Sequence, residues 1–176
     1  MTGVAKGAAL DELFQANLGD IINPMIKEND TPLYLHIPKA GGTAVIDYYR
    51  CLGLVTSENL YISEGRSHIM LETHSVEGIH QAKDLEIVQR GLADVIFTPL
   101  LPAAMEMFDS NHQARVFALF RHPIDREVSL YYYRQIADWE GDGVYAPELA
   151  NTPIETYFEQ LKDRTDNFLI SLLLNK

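Results

Sequence analysis

Lys39, Gly41, Gly42 and Thr43 stand together in the stretch His36-Ile-Pro-Lys-Ala-Gly-Gly-Thr43, and that set of residue types is suited to holding an anion. Lys39 supplies a full positive charge and Thr43 a hydroxyl donor. The two glycines let main-chain N–H groups approach a phosphate or sulfate ahead of a helix N-terminus. A second cation, Arg121, opens Arg121-His-Pro-Ile-Asp-Arg126, with Ser129 about two helical turns further on. Two separated cationic turns imply a ligand with two separated anionic groups.

The order of the first motif departs from the P-loop signature G-x-x-x-x-G-K-[ST], because here the lysine precedes the glycines. It therefore reads as a phosphate cradle of a different lineage. A nucleotide kinase or NTPase would hold Mg²⁺ through a loop Ser/Thr and an Asp at the end of a second apolar strand. This chain puts Arg121 at that strand end, which favours transfer without a metal. Proton acceptors are less legible. If residues 67–73 form a strand, His68, Glu72 and His74 project to one face, although solvated polar positions explain them equally well and the base stays unassigned. The simpler alternatives for the cations are a solvated loop lysine at 39 and an ion pair of Arg121 with Asp125 or Glu127. Ser129 could serve only as a small residue where helix meets sheet, and His122 as a packed turn residue.

The elements that must position these residues follow from periodicity. Leu33 to Ile37 reads as a buried strand feeding the cradle, and Val45, Ile46, Tyr49 and Leu52 mark one face of the helix after it, with Gly53 as its stop. Short strands are expected at Leu60–Ser63 and His68–Thr73, separated by Glu64-Gly65. A helix is expected over about Gln81 to Ala93, then a strand at Val95–Thr98 closed by Pro99. Arg115 to Phe120 forms the second strand-to-helix passage, with Pro123 in the first helical turn and Ile124, Val128, Tyr131 and Tyr132 on one face. Thr152-Pro-Ile-Glu155 reads as a capping box, and a last apolar helix spans Asp166 to Leu174. Leu10, Leu13, Phe14, Leu18 and Ile21 suggest a helical extension over residues 1–30. Strands alternating with helices predict an α/β domain with a mainly parallel central sheet covered on both faces. Both cationic turns then lie at carboxyl ends of strands, where open α/β sheets bind ligands.

Composition bounds the rest. The 176 residues fit one domain, 1–176, with an ordinary apolar fraction of 47%. Fourteen Lys+Arg against 25 Asp+Glu give a formal charge of −11, which repels nucleic acid and other polyanions at long range. An anionic ligand must be held locally. Cys51 is the single cysteine, so a reducing compartment is permitted. No secretory signal and no apolar run of about 20 residues is visible, which points to a soluble, cytoplasmic chain.

With both motifs in view, the chain resembles the sulfotransferases that use 3′-phosphoadenosine 5′-phosphosulfate, in particular the carbohydrate, heparan-sulfate-type group whose loop reads HIPK-[TS]-GGT. The resemblance covers roughly Leu33 to Leu174 and is specific only in the two motifs, with the run Leu130-Tyr-Tyr-Tyr-Arg134 and Asp166-Asn-Phe-Leu169 as weaker matches. It implies a P-loop-like three-layer fold. It assigns the 5′-phosphosulfate to Lys39, Gly41, Gly42, Thr43 and Ala44, the 3′-phosphate to Arg121 and Ser129, and charge stabilisation at the leaving oxygen to Lys39. The implied reaction moves a sulfuryl group to a hydroxyl of a carbohydrate or related acceptor, with no metal. Golgi-lumen relatives carry a membrane anchor, so that compartment is the alternative if an anchor is missing from this sequence.

The chain also departs from the family. Ala40 replaces a hydroxyl residue, an arginine usual near Ser171 is absent, and Pro99-Leu100 stands where relatives often have a histidine. Many relatives continue beyond this length, so segments that cover the cofactor or bind the acceptor are expected to be missing. A nucleotide-binding remnant without acceptor chemistry is the competing expectation, with a kinase or NTPase behind it.

Overall fold

The computed structural model describes residues 12, 17–19, 29–58, 60–64, 67–140, 143–161 and 168–174. Of the expected N-terminal helix only Leu18 among its apolar positions falls within them, and the start of the expected last helix, at Asp166, also lies outside. Three parallel strands form the central sheet: β1 (Thr31–Leu35), β4 (Ile96–Thr98) and β5 (Ala114–Ala118), in the order β4-β1-β5. A separate antiparallel hairpin joins β2 (Leu60–Glu64) to β3 (Ser67–Leu71). The helices are α1 (Gly42–Cys51), α2 (Val76–Asp84), α3 (Leu101–Ala104), α4 (Pro123–Ile136), α5 (Ile154–Leu161) and α6 (Phe168–Leu174), with 3₁₀ turns at Met105–Met107 and Pro147–Asn151.

Alternation along the strands sends side chains to two cores. Leu33, Leu35 and Ile96 pack with Ile79 and Ala82 of α2 and with Leu101 and Ala104 of α3 on one face. Tyr34, Val95 and Phe97 pack with Ile46 of α1 on the other. The result is a parallel sheet flanked by helices, as the alternating pattern predicts. No helix among the described residues is long and apolar enough to cross a membrane.

Register decides where the site can be. Leu35 pairs with Thr98 on one side and with Ala118 on the other, so the three strands end level. The segments that follow them, from His36, Pro99 and Leu119, leave from one edge. β1 stops at Leu35 rather than at Ile37. One further bond, His36 N donating to Thr98 O at 2.8 Å, carries the ladder into the loop.

Several local expectations are corrected. The second helix begins at Val76, where Ser75 accepts a hydrogen bond from Gly78 N, and it ends at Asp84. Leu85, Val88 and Leu92 lie in the turns beyond it, where Glu86 has a φ of 52° that no helix continues through. The capping box at Thr152 does not form around its hydroxyl, which donates back to Glu148 O at 3.2 Å. His68, Glu72 and His74 do not share a strand face, because β3 ends at Leu71 and the chain turns before His74. The His68 side chain lies outside the described residues.

Candidate functional site

The loop after β1 is built by a tight turn. Ala40 N donates to Ile37 O at 3.1 Å, Pro38 occupies the second position, and Lys39 takes a φ of 65° at the third. Proline then a left-handed residue is the pattern of a type II turn, which ordinarily places glycine third. A lysine there costs of order 1 kcal/mol. The turn leads the chain through Gly41, at φ 100°, into the N-terminus of α1.

Gly42 is required by proximity. A Cβ at this position would lie 2.6 Å from Cδ2 of the His36 ring. That ring stands edge-on to His74 with centroids 5.5 Å apart and is 6.2 Å from Tyr34, so it has little room to yield. Gly42→Ala is therefore expected to cost about 1–3 kcal/mol of overpacking. The check is the denaturant midpoint, with most of the loss returning when His36→Ala is added.

The loop after β5 brings the second cation. Pro123 opens α4 in a position where its missing N–H is harmless. Arg121, just before it, donates from Nη1 to the carbonyl of Lys39 at 3.2 Å. Glu127, one of its possible ion-pair partners, is bonded to Arg126 instead, and the Arg126 guanidinium lies 3.9 Å over the Phe168 ring. The two cationic turns thus touch each other.

Lys39, Gly41, Gly42, Thr43, Arg121 and Ser129 all line one cavity of about 390 Å³, a size suited to a small-molecule ligand. Ala44 does not line it and is exposed on α1. Ser129 and Tyr133 share a face of α4 at i, i+4, and both point to this cavity, as do His36, His74, Pro99 and Glu140. Arg121 also borders a second, more apolar cavity of about 540 Å³ lined by Ile37, Phe120, Ile124, Phe158 and Phe168.

The cavity sets two cations, Lys39 and Arg121, beside one carboxylate, Glu140. Nζ of Lys39 lies 3.4 Å from the centroid of the Tyr133 ring, a cation–π contact, and the Tyr133 phenol donates to Glu140 Oε1. Burial lowers the Lys39 pKa, Glu140 pulls it back up, and Arg121 lowers it again. His36 is also pushed below the ordinary histidine range, first by burial and then by His74 and Lys39. A bound anion would relieve both shifts.

His74 reaches the cavity through a network that sequence reading misses. β4 is the edge strand beyond β1, and its outer polar groups are met by side chains: Ser57 Oγ accepts from Phe97 N at 2.8 Å and Thr73 Oγ1 donates to Phe97 O at 2.5 Å. The two hydroxyls bond each other at 2.8 Å; since Thr73 has spent its one proton, Ser57 is the donor. Thr73 is thereby clamped to the sheet edge and the next residue, His74, is set against His36. Its Nδ1 lies 4.0 Å from Glu72 and its Nε2 4.0 Å from Glu58, while Nε2 is buried and makes no hydrogen bond. His74 was among the candidate proton acceptors, though on a strand face that does not form; Tyr133 and Glu140 were not singled out as site residues, and the spacing Ser129, Tyr133 on one helical face would have indicated the first.

Among the described residues, no group of three or more His, Cys, Asp or Glu side chains is arranged to hold a metal ion. Comparisons with protein-family models, curated proteins and solved structures gave no match.

Proposed function

We propose that this chain is a sulfotransferase of the kind its two motifs resemble, taking 3′-phosphoadenosine 5′-phosphosulfate as donor and a hydroxyl of a carbohydrate or related compound as acceptor. The observation that carries this reading is that the Lys39 and Arg121 turns, on adjacent parallel strands, meet in one cavity together with Ser129 and the glycine cradle. A donor with phosphosulfate at one end and a 3′-phosphate at the other matches two cationic turns. A metal-dependent kinase would need a carboxylate where Arg121 stands.

In the proposed reaction the acceptor oxygen attacks sulfur, the bond from sulfur to the 5′-phosphate oxygen breaks, and adenosine 3′,5′-bisphosphate leaves. Lys39 neutralises charge on the departing oxygen, and backbone N–H groups at Gly41 to Thr43 hold the phosphate. The acceptor proton needs a base with an available lone pair. His74 is the residue we assign to that role, because it lines the cavity and has a glutamate 4.0 Å from each ring nitrogen to stabilise the imidazolium it would become. It also stands in for the histidine that the Pro99-Leu100 segment lacks.

The reading is tested by calorimetric titration with adenosine 3′,5′-bisphosphate and by transfer of labelled sulfate to a panel of sugars and small alcohols. Saturable binding and labelled product are expected; absence of nucleotide binding would refute the proposal. His74→Gln is expected to lower kcat by about 10²–10⁴. Nucleotide affinity and thermal stability should stay as in the wild type. A variant that keeps the wild-type kcat removes His74 from the mechanism.

A further inference from the structure

Glu140 accepts from the Tyr133 phenol and stands as a counter-charge to Lys39, tasks that leave part of its acceptor capacity unused. A carboxylate lining a cavity that is to receive phosphate and sulfate groups also repels them, so that remaining capacity points to a ligand group other than the donor's anions. Glu140 is also firmly placed. Ala137 is fully buried at the end of α4, Ala137 N donates to Tyr133 O at 3.0 Å, and Glu140 N donates to Ala137 O at 3.2 Å. This tight turn places Glu140 in the lining of the cavity, with Trp139 next to it in the chain. Trp139 is 67% exposed, yet its ring is held in a defined edge-on contact with Tyr133, centroids 6.0 Å apart. Since Tyr133 itself carries the Lys39 ammonium on its face, the indole stands within the span of a saccharide unit or two from the catalytic charge.

From this geometry we infer that Trp139 and Glu140 form the acceptor subsite, and that the acceptor is an uncharged saccharide. The inference rests on the transferase reading for the reason a hydroxyl compound should approach Lys39. An exposed indole packed edge-on against Tyr133 offers an apolar plate to the C–H face of a pyranose ring. A carboxylate accepts at both oxygens, and Tyr133 uses one of them, which leaves acceptor capacity for sugar hydroxyls. The same carboxylate, in a chain of formal charge −11, opposes uronic acids and already sulfated sugars. Polyanionic glycans are thereby excluded as acceptors, and neutral hexose or N-acetylhexosamine units are admitted.

Trp139 is the single tryptophan of the chain, so its fluorescence reports on this subsite alone. Lactose, cellobiose, maltose and N,N′-diacetylchitobiose are titrated into the full chain, with and without adenosine 3′,5′-bisphosphate, against a heparin-derived disaccharide as the anionic comparison. The expected result is a saturable shift with at least one neutral disaccharide and none with the anionic one. Glu140→Ala is expected to weaken the neutral sugar at least tenfold. Trp139→Ala, followed by calorimetry, should do the same, and both are exposed positions where folding is readily confirmed by melting. No saturable response to any of the four sugars, or tighter binding of the heparin disaccharide, overturns the inference. Nucleotide binding, measured separately by calorimetry, reports on the transferase reading, so the two can fail independently.

Discussion

Lys39→Ala is expected to lower sulfuryl transfer by about 10²–10³-fold, the usual consequence of removing one charge aimed at a developing anion, while leaving thermal stability unchanged or slightly raised. The opposite signs follow from how the residue is held. Its ammonium is partly buried, which is the first cause of its lowered pKa, and its backbone is left-handed at φ 65°. Both features cost folding free energy, and a bound anion would repay the part that comes from burying the charge. The contact with Tyr133 offsets part of it. Lys39→Gly sharpens the test, because glycine relieves the backbone strain as well and should melt higher than the wild type by an amount corresponding to about 1 kcal/mol. Melting curves and single-turnover sulfate transfer on the three proteins check both halves. A variant that is both active and unaltered in stability would show Lys39 to be a solvated loop residue.

What could be read from the chain beforehand was what is encoded locally. Leu33 to Leu35, Pro38, Gly41, Gly42 and the apolar face of α1 specify strand, turn and helix within twenty residues, and Pro123 does the same for α4. The parallel pattern then fixed that both cationic turns leave one sheet edge. His74 could not be read in this way. Its position depends on hydroxyls at Ser57 and Thr73 that bind the edge of β4 across sequence separations of 40 and 24 residues, and no periodicity announces a bond of that kind. Periodicity misled at Leu85, Val88 and Leu92. Those residues are apolar because they pack under the sheet, and a sequence of turns buries them as well as a helix would. Ser75, three residues before Gly78, was the local signal that outweighed them. Glu140 went unnoticed because a lone acid after a helix is ordinarily solvated, and it is the turn on the buried Ala137 and the bond from the Tyr133 phenol that hold this one.

Arg121→Ala is expected to weaken adenosine 3′,5′-bisphosphate by roughly 10- to 150-fold, the equivalent of a charged hydrogen-bonded contact at about 1.5–3 kcal/mol. The guanidinium has a second task in the structure, donating to the Lys39 carbonyl, so a weaker complex alone would not show which function was lost. Adenosine 5′-monophosphate separates them, since it presents the cradle with the same 5′-phosphate and has nothing for Arg121 to hold at the 3′ position. If Arg121 reads the 3′-phosphate, the variant binds the monophosphate as the wild type does and loses only the advantage of the bisphosphate. Should both nucleotides weaken together, Arg121 acts by shaping the Lys39 turn. Arg121→Lys should recover a part of the affinity, because the charge returns without the planar fork that grips two phosphate oxygens at once. Equal affinity for the two nucleotides in the wild-type protein would mean that the 3′ position is not read at all, and the two-anion ligand on which the proposed function depends would have to be abandoned.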